Sequence, residues 1–216
     1  GGTPPFSFEW SNGFISEDID NLSMGVYGVQ VTDSKNKVKK DSVEIKDGSI
    51  HGFLTDIDGN IYQTVKIGNQ WWMAENLQVK HDAQGDSISS YIYNNDANKE
   101  KEYGRLYDWY AVMNGSTVEG TQGIAPEGWH IPSDSEWQQL FNHLGGVEVA
   151  GGKMKESGTE HWNSPNSNAT NSSGFSSLPA GGGYTDGSFE GLGDGTHYWS
   201  STDRGSEILA PTVHSG

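Results

Sequence analysis

Seven histidines and twenty-nine carboxylates are the residues with which this chain could do chemistry, because it contains no cysteine. Thiol nucleophiles, disulfide frameworks and thiolate metal sites therefore drop out together. Hydrolysis would need a nucleophile beside its base, or two acids about 5–9.5 Å apart across a cleft, and no pair in the sequence demands either. His161, His197 and His214 fall in no ligand spacing of the H-x-x-x-H kind. His130, between Trp129 and Ile131, reads as a packed structural histidine rather than a base. Two groups of oxygens remain as cation candidates, with calcium the one cofactor in view. Asp56, Asp58 and Asn60 have the wording of a calcium loop, but the closing glutamate of an EF-hand would fall where Ile67 stands, so the stretch reads first as a hairpin turn. Asp186, Glu190 and Asp194 lie on a Gly-rich loop, where they either gather around a cation or solvate turns. Trp162, Tyr184, His197 and Trp199 offer faces on which a sugar could stack, Trp199 being also a core candidate.

The elements that must position these residues are organised around residues 128–146. Ser133 and Glu136 spell a capping box, so a helix starts there. Trp137, Leu140, Phe141 and Leu144 form one apolar stripe, and Gly145-Gly146 supply the stop. A shorter helix is expected where Leu106, Trp109, Tyr110 and Met113 recur, with Arg105 and Asp108 as a surface pair. Strands are expected at 53–57 and 61–67, then at 70–77 running into a loop. A further strand is expected at 197–202, after a loop-dominated stretch at 151–195. Ahead of them, residues 1–47 read as three or four strands with turns at Ser11-Asn12-Gly13 and Lys35-Asn36. Asp47-Gly48-Ser49 is the expected boundary, giving units of 1–47 and 48–216.

A formal charge of −16 excludes the basic footprint that nucleic acid or an anionic membrane requires. No apolar run approaches the length of a membrane helix. The opening GGTPPF reads as the start of a fragment of a longer precursor, so the lack of a leader says nothing of secretion. Eight tryptophans, nine tyrosines and thirty glycines are typical of recognition surfaces built on ordered loops.

Residues 1–47, with GGTPPFSFEWSNG and EDIDNLSMGVYGVQVTDSKNKV, closely resemble the SprB-type repeat, an immunoglobulin-like module found in tandem on surface adhesins of Bacteroidota. The family carries strands ahead of the GGTPP stretch, so the resemblance implies a partial module. The second unit is similar to the FISUMP domain, the major paralogous domain of Fibrobacter succinogenes. That resemblance rests on TDIDGNIYQTVKIGNQWWMAENL, YGRLYDWYAV, APEGWHIPSDSEWQQL, GFSSLPAGG and YWSST, in order, from Thr55 to Thr202. It implies a C-type lectin-like α+β fold, with two helices beside small twisted antiparallel sheets and long loops that carry the ligand site. It also implies a place at the cell surface or outside the cell.

There are two departures from that pattern. Ala125 stands where many members have a cysteine paired with one in a closing strand, and the tail from Leu209 shows no such strand, so the 53–57 edge is expected to be open. The related formylglycine-generating enzymes would require copper-binding cysteines that this chain lacks, and the lectin calcium ligands do not transfer to Trp199-Ser200-Ser201. The expectation is a non-enzymatic adhesin that recognises a glycan or protein ligand through its loops. The alternative is an assembly unit whose open edges are completed by neighbouring copies through strand addition. Asp41-Ser42-Val43 and Asp86-Ser87-Ile88 resemble the O-glycosylation triplet of exported Bacteroidota proteins, making Ser42 and Ser87 modification candidates.

Overall fold

The computed structural model describes residues 2–19, 25–45, 50–184, 186–203 and 211–215. The chain divides into two units, Gly1–Gly48 and Ser49–Gly216. The expected boundary triplet and the start of the expected closing tail, at 204–210, lie outside the described residues.

The first unit is one antiparallel sheet of β1 (Ser7–Trp10), β2 (Gly25–Thr32) and β3 (Val38–Ile45), in the order β1-β2-β3. The period-two alternation around Val29 and Val31 marks β2 as a strand, and its pairing with both β1 and β3 makes it the central one. Its turn to β3 is fixed by Asp33, whose carboxylate accepts from the backbone of Lys35 (2.9 Å), Lys37 (2.8 Å) and Thr3 (3.0 Å). These donors hold the Asp33 carboxyl below its ordinary value, the Thr3 amide most of all. Asn36 takes the left-handed conformation, φ 60°. Val26, Val38, Val43, Phe14 and Ile15 remain exposed, so the sheet covers neither face with a core of its own among the described residues.

The second unit begins with the meander β4 (Ile50–Thr55), β5 (Ile61–Ile67) and β6 (Gln70–Met73). Asp56 organises its first turn, accepting from Asn60 N (2.9 Å), Asn60 Nδ2 (2.8 Å) and the Tyr62 hydroxyl (2.6 Å), while Gly59 supplies φ 84°. Four helices follow: α1 (Ala97–Tyr103), α2 (Trp109–Met113), α3 (Asp134–His143) and α4 (Val147–Met154). The second sheet contains β7 (Ala180–Gly183), β8 (Phe189–Leu192), β9 (Gly195–His197) and β10 (Thr212–His214), in the order β10-β9-β7-β8. Small sheets, antiparallel apart from the parallel pairing of β7 with β9, with helices between them make the architecture α+β.

The capping box on α3 is formed as the spacing predicts. Its stripe brings Trp137, Leu140 and Leu144 onto Val65, Ile67 and Trp72 of the first sheet. Gly145 and Gly146 adopt φ 101° and 103° and end the helical run. α2 is shorter than its apolar spacing predicts because Asp108 caps it, accepting from Ala111 N at 2.8 Å. Arg105 pairs instead with Glu100 (2.6 Å). Two helices were expected and four α-helices are found among the described residues. α4 was hidden by its two glycines, and Gly152 is required there because a Cβ would lie 2.5 Å from the Asn168 carbonyl. The tail forms a strand after all, pairing with β9 and not with β4. Among the described residues, no helix is long and apolar enough to cross a membrane.

Candidate ligand-binding cleft

The expected loop residues do not converge. Trp162 is 1% exposed and donates to the Ser177 carbonyl at 3.0 Å, so it is a core residue with no face for a ligand. Asp186 lies in the β7–β8 turn, where its carboxylate takes the Ser188 hydroxyl (2.6 Å) and amide (2.9 Å), which hold it below its ordinary value. Asp194 lies at the other end of β8 and accepts from Asn163 Nδ2 at 2.8 Å. A four-residue strand separates these two acids, and both are absorbed in turns.

Tyr184, Glu190 and His197 do share one exposed face of the second sheet. Tyr184 donates to Glu190, Glu190 pairs in register with Gly182, and His197 lies against Gly182. His197 meets Thr212 Oγ1 at 3.0 Å, and burial together with the neighbouring His214 keeps its pKa low.

Asp56 and Asp58 point to different partners. Asp56 is taken up by Asn60 and Tyr62, whereas Asp58 accepts from Lys80 N (2.5 Å), His81 N (3.2 Å) and His81 Nδ1 (2.5 Å). Burial would raise the Asp58 carboxyl, but these donors outweigh it and hold it low. Asp56, Asp58 and Asn60 thus form a pinned hairpin turn, not an oxygen cage. Among the described residues, no group of three or more His, Asp and Glu side chains is arranged to hold a metal ion. Ser42 and Ser87 are both exposed.

A cleft of about 770 Å³ lies elsewhere in the second unit. One wall is the unbroken run of residues 69–77, which contains β6. The facing wall comes from Ile124-Ala125, residues 128–132, the start of α3 and Tyr198-Trp199. Indoles dominate it: Trp71 is 43% exposed, Trp129 and Trp199 are half-buried, and Trp199 is fixed by donating to the Tyr107 carbonyl at 2.8 Å. Trp72 also lines the cleft, packed on Trp137 with ring centroids 4.6 Å apart. Its indole N–H is buried and, among the described residues, has no acceptor.

The charged edge of the cleft is a histidine–carboxylate pair. His130 is exposed, contrary to the packed role expected of it, and its Nε2 lies 2.8 Å from Glu136 Oε1. Glu136 Oε2 takes the Ser133 amide at 2.9 Å, and Gln70 Nε2 donates to the Glu136 carbonyl at 3.0 Å. Burial would push the Glu136 carboxyl up, but the Ser133 and His130 hydrogen bonds leave it below its ordinary value, an anion at neutral pH. Among the described residues no hydroxyl is bonded to His130.

Sequence reasoning missed Trp71, Trp72, His130 and Glu136. Adjacent tryptophans on a strand point to opposite faces, so one of the two had to face outward, and that was the available signal.

Helices capped between small, mainly antiparallel sheets, with a tryptophan-rich cleft beside the first hairpin, define an α+β domain with a concave site. The chain belongs to the Fibrobacter succinogenes major domain family, whose profile matches residues 65–213, from within β5 to within β10. No curated protein and no solved structure matched the chain.

Proposed function

We propose that the second unit is a non-catalytic binding domain, displayed at the cell surface or outside the cell, that takes its ligand in the cleft between β6 and Trp129. One observation carries this reading: a tryptophan-rich cleft is lined by Trp72, whose buried indole N–H has no acceptor among the described residues. Leaving such a donor unpaired costs about 1–3 kcal/mol, which a ligand acceptor would recover on binding. Concave, mainly apolar sites with a few convergent polar groups are where ligands bind. Glu136 and His130 supply such groups here.

The C-type lectin-like reading of this unit is supported by its small sheets flanking capped helices and by the loop excursion between α4 and β7. The SprB-type, immunoglobulin-like reading of the first unit is supported by its antiparallel three-stranded sheet. Both architectures suit an adhesin that holds its ligand without converting it.

The test is a thermal-shift screen of saccharides and peptides, repeated on Trp71→Ala and Trp129→Ala. A ligand whose stabilisation disappears in both variants, with their circular dichroism unchanged, supports the reading. Ligands that stabilise the variants as well as the parent would move the site elsewhere. Turnover of a bound ligand would end the non-catalytic part.

A further inference from the structure

The shape of the cleft's wall narrows the ligand class. A strand seen from one face shows alternate side chains, yet residues 69–77 line the cleft without interruption. The cleft therefore wraps around the edge of β6, and it also reaches across the sheet to Thr64 of β5 and Gly52 of β4.

That edge is open. β6 is the last strand of its sheet and pairs only with β5, in the register Val65↔Trp72 and Lys66↔Trp71. Ala74 N donates to the Gln63 carbonyl at 2.9 Å, which fixes the alternation of the antiparallel ladder. Gln70, Trp72 and Ala74 turn their backbone groups toward β5, and Trp71 and Met73 turn theirs the other way. Among the described residues, no backbone hydrogen bond reaches Trp71 or Met73 from that outer side.

Resting on the binding-domain reading above, we propose that the cleft is a strand-addition site: it takes an extended peptide of a partner protein as a fourth strand beside β6. An N–H and a C=O on each of two residues about 7 Å apart match the repeat of another extended backbone. A saccharide has no such repeat of donors and acceptors. Alternate side chains of the added strand enter the aromatic cleft, where Trp71 and Trp129 offer apolar faces.

Charge selects the partner further. Among the described lining residues there is no lysine or arginine, while Glu75 and Glu136 are both present. The whole chain carries a formal −16. The peptide that fits is apolar at alternate positions and carries a basic residue for Glu136.

The experiment is panning of a random dodecapeptide library on the whole chain, with a glycan array in parallel. Selected peptides are expected to alternate apolar residues with at least one Lys or Arg. Their binding should fall about tenfold or more when two alternate backbone amides are N-methylated with side chains unchanged, because about two backbone hydrogen bonds are lost. Bound peptide should also slow amide exchange at Trp71 and Met73. Met73→Pro removes one outward N–H without touching the ladder to β5 and should weaken binding similarly. Because that variant risks misfolding, the N-methyl peptides decide independently of it.

Peptides that bind equally well after N-methylation, or without protecting those amides, would overturn strand addition. Glycan hits abolished by Trp71→Ala, with no peptide selected, would overturn strand addition and leave the binding-domain reading standing. If neither a peptide nor a glycan binds, both readings fail.

Discussion

One carboxylate joins the cleft to the fold: Glu136 receives His130 Nε2 on one oxygen at 2.8 Å and the Ser133 amide on the other at 2.9 Å. The same side chain therefore closes the α3 capping box and charges the edge of the cleft. Glu136→Gln should destabilise the domain by about 1 kcal/mol at neutral pH, as expected for a weakened cap. The folded-state carboxyl lies below its ordinary value of 4.5. A carboxyl depressed in this way stabilises the fold above the unfolded pKa, and the contribution is lost as pH falls through the folded pKa. The gap between parent and variant in urea titrations should be constant around neutrality and close on acidification below pH 4.5. A gap that persists unchanged in acid would assign the effect to packing instead. His130→Ala should change stability by no more than about 1 kcal/mol, since the exposed partner of an ion pair contributes little.

Trp72 and Trp137 pack against each other with their rings tilted by 38° but differ in their indole N–H groups. Trp137 Nε1 donates to the Trp199 carbonyl at 3.2 Å, whereas Trp72 Nε1 has no acceptor among the described residues. Replacing either by phenylalanine removes similar volume, so the difference isolates the hydrogen bond. Trp137→Phe should cost about 1 kcal/mol more than Trp72→Phe, because it strands the half-buried Trp199 carbonyl while the other change removes a stranded donor. Denaturant midpoints of the two variants measure this directly, and equal costs would mean that the Trp72 N–H is satisfied in solution. The same Trp72→Phe protein should bind any cleft ligand more weakly if that N–H is the ligand's donor.

The contrast between what the sequence disclosed and what it concealed follows from range. The Ser133–Glu136 box, the Trp137–Leu140–Leu144 stripe and the Asp58-Gly59-Asn60 turn are specified by residues within one or two turns of chain, and all three appear. β7, with the sequence AGGG, has almost no side chains from which a period could be read. Its glycines answer to a neighbour, since a Cβ on Gly181 would lie 2.5 Å from the Glu190 carbonyl. Trp162 was placed on a ligand surface because Gly- and Asn-rich flanks look the same whether they display an aromatic ring or wrap one. The cleft needs residues 69–77 beside residues 128–132, a juxtaposition that no local pattern encodes. Only the Trp71-Trp72 doublet hinted at it.

Lys155 is a second long-range feature that its neighbours in sequence do not announce. It is 3% exposed, and its Nζ donates to the carbonyls of Ser167 (2.8 Å) and His214 (2.9 Å), tying β10 to the loop that crosses α4. The Trp162 ring lies 5.4 Å from the same ammonium. Lys155→Met keeps the aliphatic stem but strands those carbonyls, and it should cost about 3 kcal/mol. Amide exchange at Val213, which pairs with Thr196 in the strand ladder, should accelerate well beyond that at Val65 in the first sheet. Uniform acceleration across both sheets would mean that Lys155 supports the whole domain rather than anchoring its last strand.

The adjacent glycines of α4 separate helix propensity from packing. Both lie in the helix, and alanine is favoured over glycine there by about 1 kcal/mol. At Gly151 a Cβ would meet nothing nearer than Val213 Cγ1 at 3.9 Å, an ordinary contact. Gly151→Ala should therefore be neutral or stabilise by up to about 1 kcal/mol. At Gly152 the same atom would sit 2.5 Å from the Asn168 carbonyl oxygen and 3.2 Å from Asn168 Cβ. Relief requires the 166–170 loop to move off the helix, breaking the bond from Thr170 N to the Gly152 carbonyl at 2.8 Å. Gly152→Ala should destabilise by about 1–3 kcal/mol despite its better propensity, as overpacking does. Opposite signs for the two variants in urea unfolding would establish that the loop after α4 is packed against the helix. Two stabilising substitutions would show that it is not.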